Sequence, residues 1–182
     1  LAVYGCMLGY DRIWKEMKDP ELKALVERIG LTEGLPVVTD PGILSPEAFI
    51  REVLEVRLPN PFMPDMPQRI AMDTSQKVPI RYGETIKSYI RSETLDVRTL
   101  TFIPLAIAGW MRYLLAVDDD GNPFECSSDP MLDVLQKQLE GARLGEPGSV
   151  DGKLYPILSN PVLFGTDLVE AGLAEKIETM VK

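Results

Sequence analysis

The sequence contains no histidine. Within these residues that excludes Ser-His-Asp and Cys-His nucleophilic chemistry and any histidine metal site. Cysteine is almost as scarce, with only Cys6 and Cys126. Two cysteines make no disulfide framework, so a reducing, cytoplasmic setting is expected. Cys6 stands in an apolar helical stretch and reads as inert core. Positive charge is in deficit, with 19 Lys and Arg against 28 Asp and Glu and a net charge of −9. The basic footprint of a nucleic-acid binder is therefore missing, and the acidity reads as solubility. Long apolar runs are missing too. The most apolar stretch, Phe102 to Val117, carries Pro104 and Arg112 and is shorter than the ~20 residues a membrane span needs. It reads as a buried helix, and no membrane partner is expected. The chain opens on Leu-Ala-Val-Tyr, without an initiator Met or a basic leading region, so a signal peptide is not expected either.

Strand signals are also few. Val37-Val38 and Tyr155 to Leu158 are too short to build a sheet. No repeat, low-complexity segment or composition shift marks a boundary. What remains is 182 residues, 45% of them hydrophobic, enough for one domain with a substantial core.

Helix signals fill that domain, and the fold class expected is all-α. Leu1 to Met17 reads as a first helix, with Val3, Met7, Leu8, Tyr10, Ile13, Trp14 and Met17 near helical spacing. Within it Gly5 and Gly9 form a small-xxx-small pair, the usual mark of close helix packing. Asp19-Pro20-Glu21 supplies an N-cap, a first-turn proline and an acid suited to the helix dipole. The helix it opens is expected to stop at Gly30. Ser45-Pro46-Glu47 opens another. Prolines 59, 61, 64 and 67 make a rigid bend. A helix from about Pro67 to Lys77 follows, and Pro79 is expected to open the next, to about Ile90. The stretch near 101 to 117 is apolar almost all round, as a central helix should be. Asp129-Pro130 begins a helix to about Leu144, and residues 162 to 182 give two short helices around Gly172.

Asp118-Asp119-Asp120-Gly121-Asn122 looks like the front of a calcium loop. With Gly121 at the sixth position, Ala116 and Ser127 fall at the first and twelfth, where acidic ligands belong, so the stretch reads as a solvated turn. No Gly-rich phosphate loop follows a strand, so no cofactor-binding residue is assigned within the chain. No metal ligand is assigned either.

The informative stretch runs from Asn60 to Pro79, Asn-Pro-Phe-Met-Pro-Asp-Met-Pro-Gln-Arg-Ile-Ala-Met-Asp-Thr-Ser-Gln-Lys-Val-Pro. Arg69, Asp73 and Lys77 are each four apart and would share one helix face. As plain surface pairs they would contribute only ~0.3–0.5 kcal/mol each. Two cations fixed on one face between proline bends can instead grip a carboxylate or a row of hydroxyls.

That stretch resembles the motif of the mannitol dehydrogenase family, in which an Asn-Pro bend is followed by Arg, then Asp-x-Ser-x-Lys, then Pro. The similarity extends along most of the chain. Glu33-Gly34-Leu35-Pro36 resembles the family's Glu-x-x-Pro turn, and Arg57 to Pro61 its Arg-x-x-Asn-Pro segment. Ile103 to Leu114 resembles the central helix of the uronate branch, and Leu163 to Leu168 the late Phe-Gly segment. Several matches in family order are specific where one would be weak.

The resemblance implies metal-independent long-chain dehydrogenases with an N-terminal Rossmann domain that binds NAD. A multi-helical C-terminal domain, of the type seen in 6-phosphogluconate dehydrogenase, covers the substrate. Residues 1–182 would be that helical domain, with the Rossmann domain upstream as its partner. The general acid/base Lys, with its supporting Asn and His, would also lie upstream. No catalytic residue is therefore expected here, and the isolated chain is expected to be inactive. Arg69 and Lys77 match substrate-contacting positions. Met72 falls where polyol-oxidising members can carry a substrate-touching His, which argues against a plain mannitol activity. Asp73, Ser75 and Asn60 match supporting positions. The implied reaction interconverts fructuronate and mannonate by hydride transfer. Tagaturonate reduction and polyol 2-dehydrogenation are the alternatives within the family. A stand-alone, non-catalytic helical binding or scaffold domain is the alternative outside it.

Overall fold

A computed structural model describes all residues, 1–182, and shows helices joined by turns and loops with no named strand. In chain order the helices are α1 (Ala2–Met7), α2 (Ile13–Glu16), α3 (Pro20–Glu27), α4 (Pro46–Glu52), α5 (Pro67–Ile70), α6 (Thr74–Arg91), α7 (Phe102–Leu114), α8 (Leu132–Gln138), α9 (Tyr155–Leu158), α10 (Pro161–Phe164) and α11 (Ala174–Val181). None is long and apolar enough to cross a membrane.

α7 is the axis of the molecule, as its all-round apolarity predicts. Ile103, Ile107, Trp110, Met111 and Leu114 are buried on its several faces. α1, α6, α8 and α11 pack against it. Its leading end is closed from a distance by the buried Glu33. One carboxylate oxygen accepts the amides of Thr101 (2.6 Å) and Phe102 (2.9 Å), and the other accepts that of Ile103 (2.7 Å). A helix start leaves its first N–H groups unsatisfied, and a carboxylate there answers both those donors and the dipole. At the far end the Arg112 guanidinium donates to the carbonyls of Val117 (2.6 Å) and Asp118 (2.9 Å).

Local signals mark several elements correctly. Asp19 accepts from the amides of Glu21 (2.8 Å) and Leu22 (3.1 Å) to start α3, and Ser45 accepts from Ala48 (3.3 Å) to start α4. The acidic turn closes on itself, with Asp118 accepting from Asp120 and Asn122, and only an isolated bridge between Val117 and Pro123 flanks it.

Four expectations are corrected. The first helix is not continuous to Met17. It breaks after Met7, where Gly9 adopts a left-handed φ of 74°. Gly30 does not stop α3. The chain widens there into a π turn, Arg28–Gly34, followed by a short 3-10 turn, Leu35–Val37. Gly30 is needed for space, since a Cβ would meet Ile50 at 2.9 Å. The helix begun at Pro67 ends at Ile70 instead of Lys77. Pro79 lies inside α6, which starts at Thr74. The break falls at Asp73, whose left-handed φ of 56° ends one helical run and turns the chain into the next.

Of the small-residue pair, Gly5 does serve close packing. A Cβ there would run into the Glu16 carboxyl and lie 2.9 Å from Pro67. On α6, Gly83 lets the backbone of Phe164 approach so closely that a Cβ would fall on its carbonyl oxygen.

Candidate functional site

The leading turn of α1, the bend 70–71 and one face of α6 enclose a cavity of about 170 Å3. From α1 come Ala2, Val3 and Tyr4, preceded by Leu1; from the bend, Ile70 and Ala71. α6 contributes Thr74, Lys77, Val78, Arg81 and Tyr82, the three- and four-residue spacing of one helical face. Ala106 of α7 completes the lining. The lining holds two cations and no carboxylate.

The break at Asp73 dissolves the predicted shared face of Arg69, Asp73 and Lys77. Arg69 lies on α5, with its side chain 67% exposed, and reaches Asp65 at 3.4 Å, one turn before it. Asp73 donates its amide to the carbonyl of Ser128 (2.9 Å). Lys77 alone of the three lines the cavity. Its ammonium donates to the carbonyls of Met72 (2.6 Å) and Ile70 (3.3 Å), closing the end of the short helix α5. Met72 and Arg69 are exposed and do not line the cavity, although they stand next in sequence to its lining residues Ala71 and Ile70.

The supporting positions separate in the same way. Ser75 is buried, and its hydroxyl and amide both donate to Asp129, at 2.5 and 2.7 Å. Thr74 adds its hydroxyl at 2.9 Å, and Asp129 also accepts from Met131 at 2.9 Å. Asp129 thus caps α6 from across the molecule. Burial pushes its carboxyl up, but these hydrogen bonds outweigh that and hold it below its ordinary 3.8. Asn60 stands apart, its side chain accepting the amide of Phe62 (2.9 Å) to make the turn before the proline bend.

Two residues that the sequence did not single out, Arg81 and Tyr82, line the cavity, and a third, Asp129, holds the helix that carries them. Arg81 lines the cavity one turn beyond Lys77, and its side chain makes no salt bridge or hydrogen bond. Tyr82 sits beside it, half-buried, with its phenol pushed by burial up to about 12 and so kept protonated. Both also line a wider apolar groove of about 570 Å3 between α4, the 28–46 segment and α6. Their spacing from Lys77 is the signal that could have found Arg81. Asp129 had no such signal, because it meets Ser75 from 54 residues away.

The profile of the mannitol dehydrogenase C-terminal domain matches residues 1–182.

The chain belongs to the mannitol dehydrogenase family.

It is 54% identical over all 182 residues to the D-mannonate oxidoreductase of Thermotoga maritima, covering 34% of that protein. It is 32% identical over 165 residues, 90% of the chain and 30% of the relative, to a mannitol 2-dehydrogenase of Pyricularia oryzae. The fold matches the Pseudomonas fluorescens mannitol 2-dehydrogenase, solved as a ternary complex with NAD and D-mannitol. There the TM-score is 0.80 at 20% identity, over 100% of this chain and 34% of the other. The chain therefore spans about a third of the length of the relatives it matches. The all-helical C-terminal domain implied by the Asn60–Pro79 motif is the fold observed, and the NAD-dependent oxidoreductases of this family are its relatives.

Proposed function

We propose that this helical domain covers the substrate in an NAD-dependent, metal-independent dehydrogenase that interconverts D-fructuronate and D-mannonate. The observation that carries the reading is 54% identity along the whole chain to a D-mannonate oxidoreductase. The cavity agrees with it. A chain of net charge −9 lines this space with Lys77 and Arg81 and no acid, the polarity a sugar acid requires.

In this reading the hydride cofactor binds to a Rossmann domain elsewhere in the enzyme, because residues 1–182 hold no strand–turn–helix unit for a pyrophosphate. When bound, NADH would supply the hydride that reduces the ketone and NAD would accept it in the reverse direction, and the proton is moved by a Lys outside these residues. The present chain binds and orients the sugar acid. Lys77, carried on a helix locked by Ser75 and Asp129, contacts its hydroxyls. Arg69 and Met72 reach it from outside the cavity lining, and Asp73, Ser75 and Asn60 hold the supporting turns. Free Cys6 and Cys126 suit a reducing, cytoplasmic setting.

The test is steady-state turnover of the full-length enzyme with NADH against fructuronate, tagaturonate and fructose. The highest kcat/KM is expected for fructuronate. A clear preference for the neutral ketose would replace this reading with a polyol 2-dehydrogenase, and a preference for tagaturonate with the sister uronate reductase.

A further inference from the structure

We propose that Arg81 is the carboxylate anchor of the α1–α6 cavity, the residue that selects a sugar acid over a neutral polyol or ketose. This rests on the uronate reading above and names the group that gives the site its preference.

Three observations converge on Arg81. The first is the use of donors. An ammonium has three N–H groups, and Lys77 has committed two of them to the carbonyls of Met72 and Ile70. One remains, enough for a hydroxyl but not for both oxygens of a carboxylate. Arg81 has five donors and none is engaged by the protein. Its planar fork matches a carboxylate in two parallel hydrogen bonds, which a lysine cannot do.

The second is placement. Arg81 and Lys77 are four residues apart on α6, so a single sugar acid in the cavity can span both. Arg81 also lines the wider groove, so it stands at the junction of the two spaces and remains exposed. The cation is therefore hydrated until the ligand arrives, and no buried charge has to be maintained in the empty site. Tyr82, protonated and next in sequence, offers a neutral donor at the same junction.

The third is the lack of competition. Twenty-eight acids are distributed over the chain, yet none lines the cavity and none pairs with Arg81. The buried Glu33 is the acid felt by Tyr82, and both its oxygens are engaged by the amides that open α7. An unopposed arginine beside a partly engaged lysine divides the ligand, with the carboxylate at Arg81 and the hydroxyls toward Lys77.

The experiment uses the full-length enzyme with Arg81→Met, which keeps the stem and removes the charge, and Arg81→Lys, which keeps the charge and removes the fork. KM and kcat are measured with NADH against fructuronate and against fructose, and mannonate and mannitol binding are measured by calorimetry. Arg81→Met is expected to raise KM for fructuronate by at least about tenfold, leaving kcat and the fructose parameters within about twofold. Mannonate binding should weaken by the same factor, with mannitol binding unchanged. Arg81→Lys should fall between, and it keeps the test open should the methionine variant disturb folding. Equal losses on acid and neutral substrates, or no loss on either, would overturn the assignment while leaving the uronate reading intact. A wild-type enzyme that reduces no uronate at all would overturn both.

Discussion

The hydroxyl of Ser75 lies 2.5 Å from the carboxylate of Asp129, across 54 residues of chain. Together with the Ser75 amide and the Thr74 hydroxyl, it joins the start of α6 to the turn before α8. This contact fixes the register of the helix that carries Lys77 and Arg81.

Replacing Asp129 with Asn should therefore destabilise the domain and make it less sensitive to acid. Charge-assisted hydrogen bonds contribute about 1.5–3 kcal/mol each, with part of that recovered by the amide oxygen. The Asp129 carboxyl is held below 3.8 in the folded protein. Its contribution is present at neutral pH and is lost as pH falls through the folded value. Thermal melts of wild type and Asp129→Asn should differ most near neutrality and converge in acid. A difference that stays constant with pH would show that the carboxylate charge is not what holds α6.

Glu16 behaves in the opposite sense. It is fully buried between α1 and α5, and neither oxygen has a hydrogen-bond partner. Burial pushes its carboxyl from 4.5 up to about 8. The unfolded chain then releases a proton near 4.5 that the folded chain keeps until about 8, so stability declines as pH rises across that window. Glu16→Gln removes the ionisation. Its melting temperature should match or fall slightly below wild type near about pH 5 and exceed it near about pH 8. Parallel pH profiles for the two proteins would refute this account of Glu16.

Leu114 is 1% exposed on α7, in the main core cluster. Leu114→Ala removes buried methyl groups and leaves a cavity, at a cost of about 2–5 kcal/mol. For a domain of this size each kcal/mol lowers Tm by roughly 2–4 °C. A calorimetric midpoint within about a degree of wild type would place α7 outside the stabilising core.

Arg69 and Lys77 should separate in their effects. Arg69 is exposed and holds Asp65 only at 3.4 Å, a contact that contributes about 0–1 kcal/mol. In the full-length enzyme, Arg69→Ala is expected to lower kcat/KM for fructuronate at least about tenfold while barely moving Tm. Lys77→Ala should lower both, because the same ammonium closes the carbonyls of Ile70 and Met72. NADH affinity should be unchanged in each. Normal turnover in both variants would reduce the pair to a solvated helix end and a structural tie.

The sequence by itself determined the helical class, the central helix and the family. Apolar periodicity needs only neighbours on one helix, so Phe102–Leu114 could be read as the axis without knowing what packs on it. Asp19 and Ser45 mark their helix starts because a cap acts on amides two and three residues away. The Asn60–Pro79 motif pointed to Lys77 and Ser75 by residue type and order. Tertiary structure decided the rest. Asp73 takes a left-handed turn in a stretch whose spacing suits an unbroken helix, and its amide bonds to Ser128. Pro79 sits inside α6 instead of opening it. Ser75 meets Asp129, Glu33 closes α7 from 68 to 70 residues away, and Arg81 joins α1 at one cavity. Spacing along the chain encodes contacts within a turn or two of helix. Contacts across tens of residues depend on how the helices pack, and here that packing lays the start of α1 against the face of α6 that carries Lys77 and Arg81, so that the two cations line one cavity.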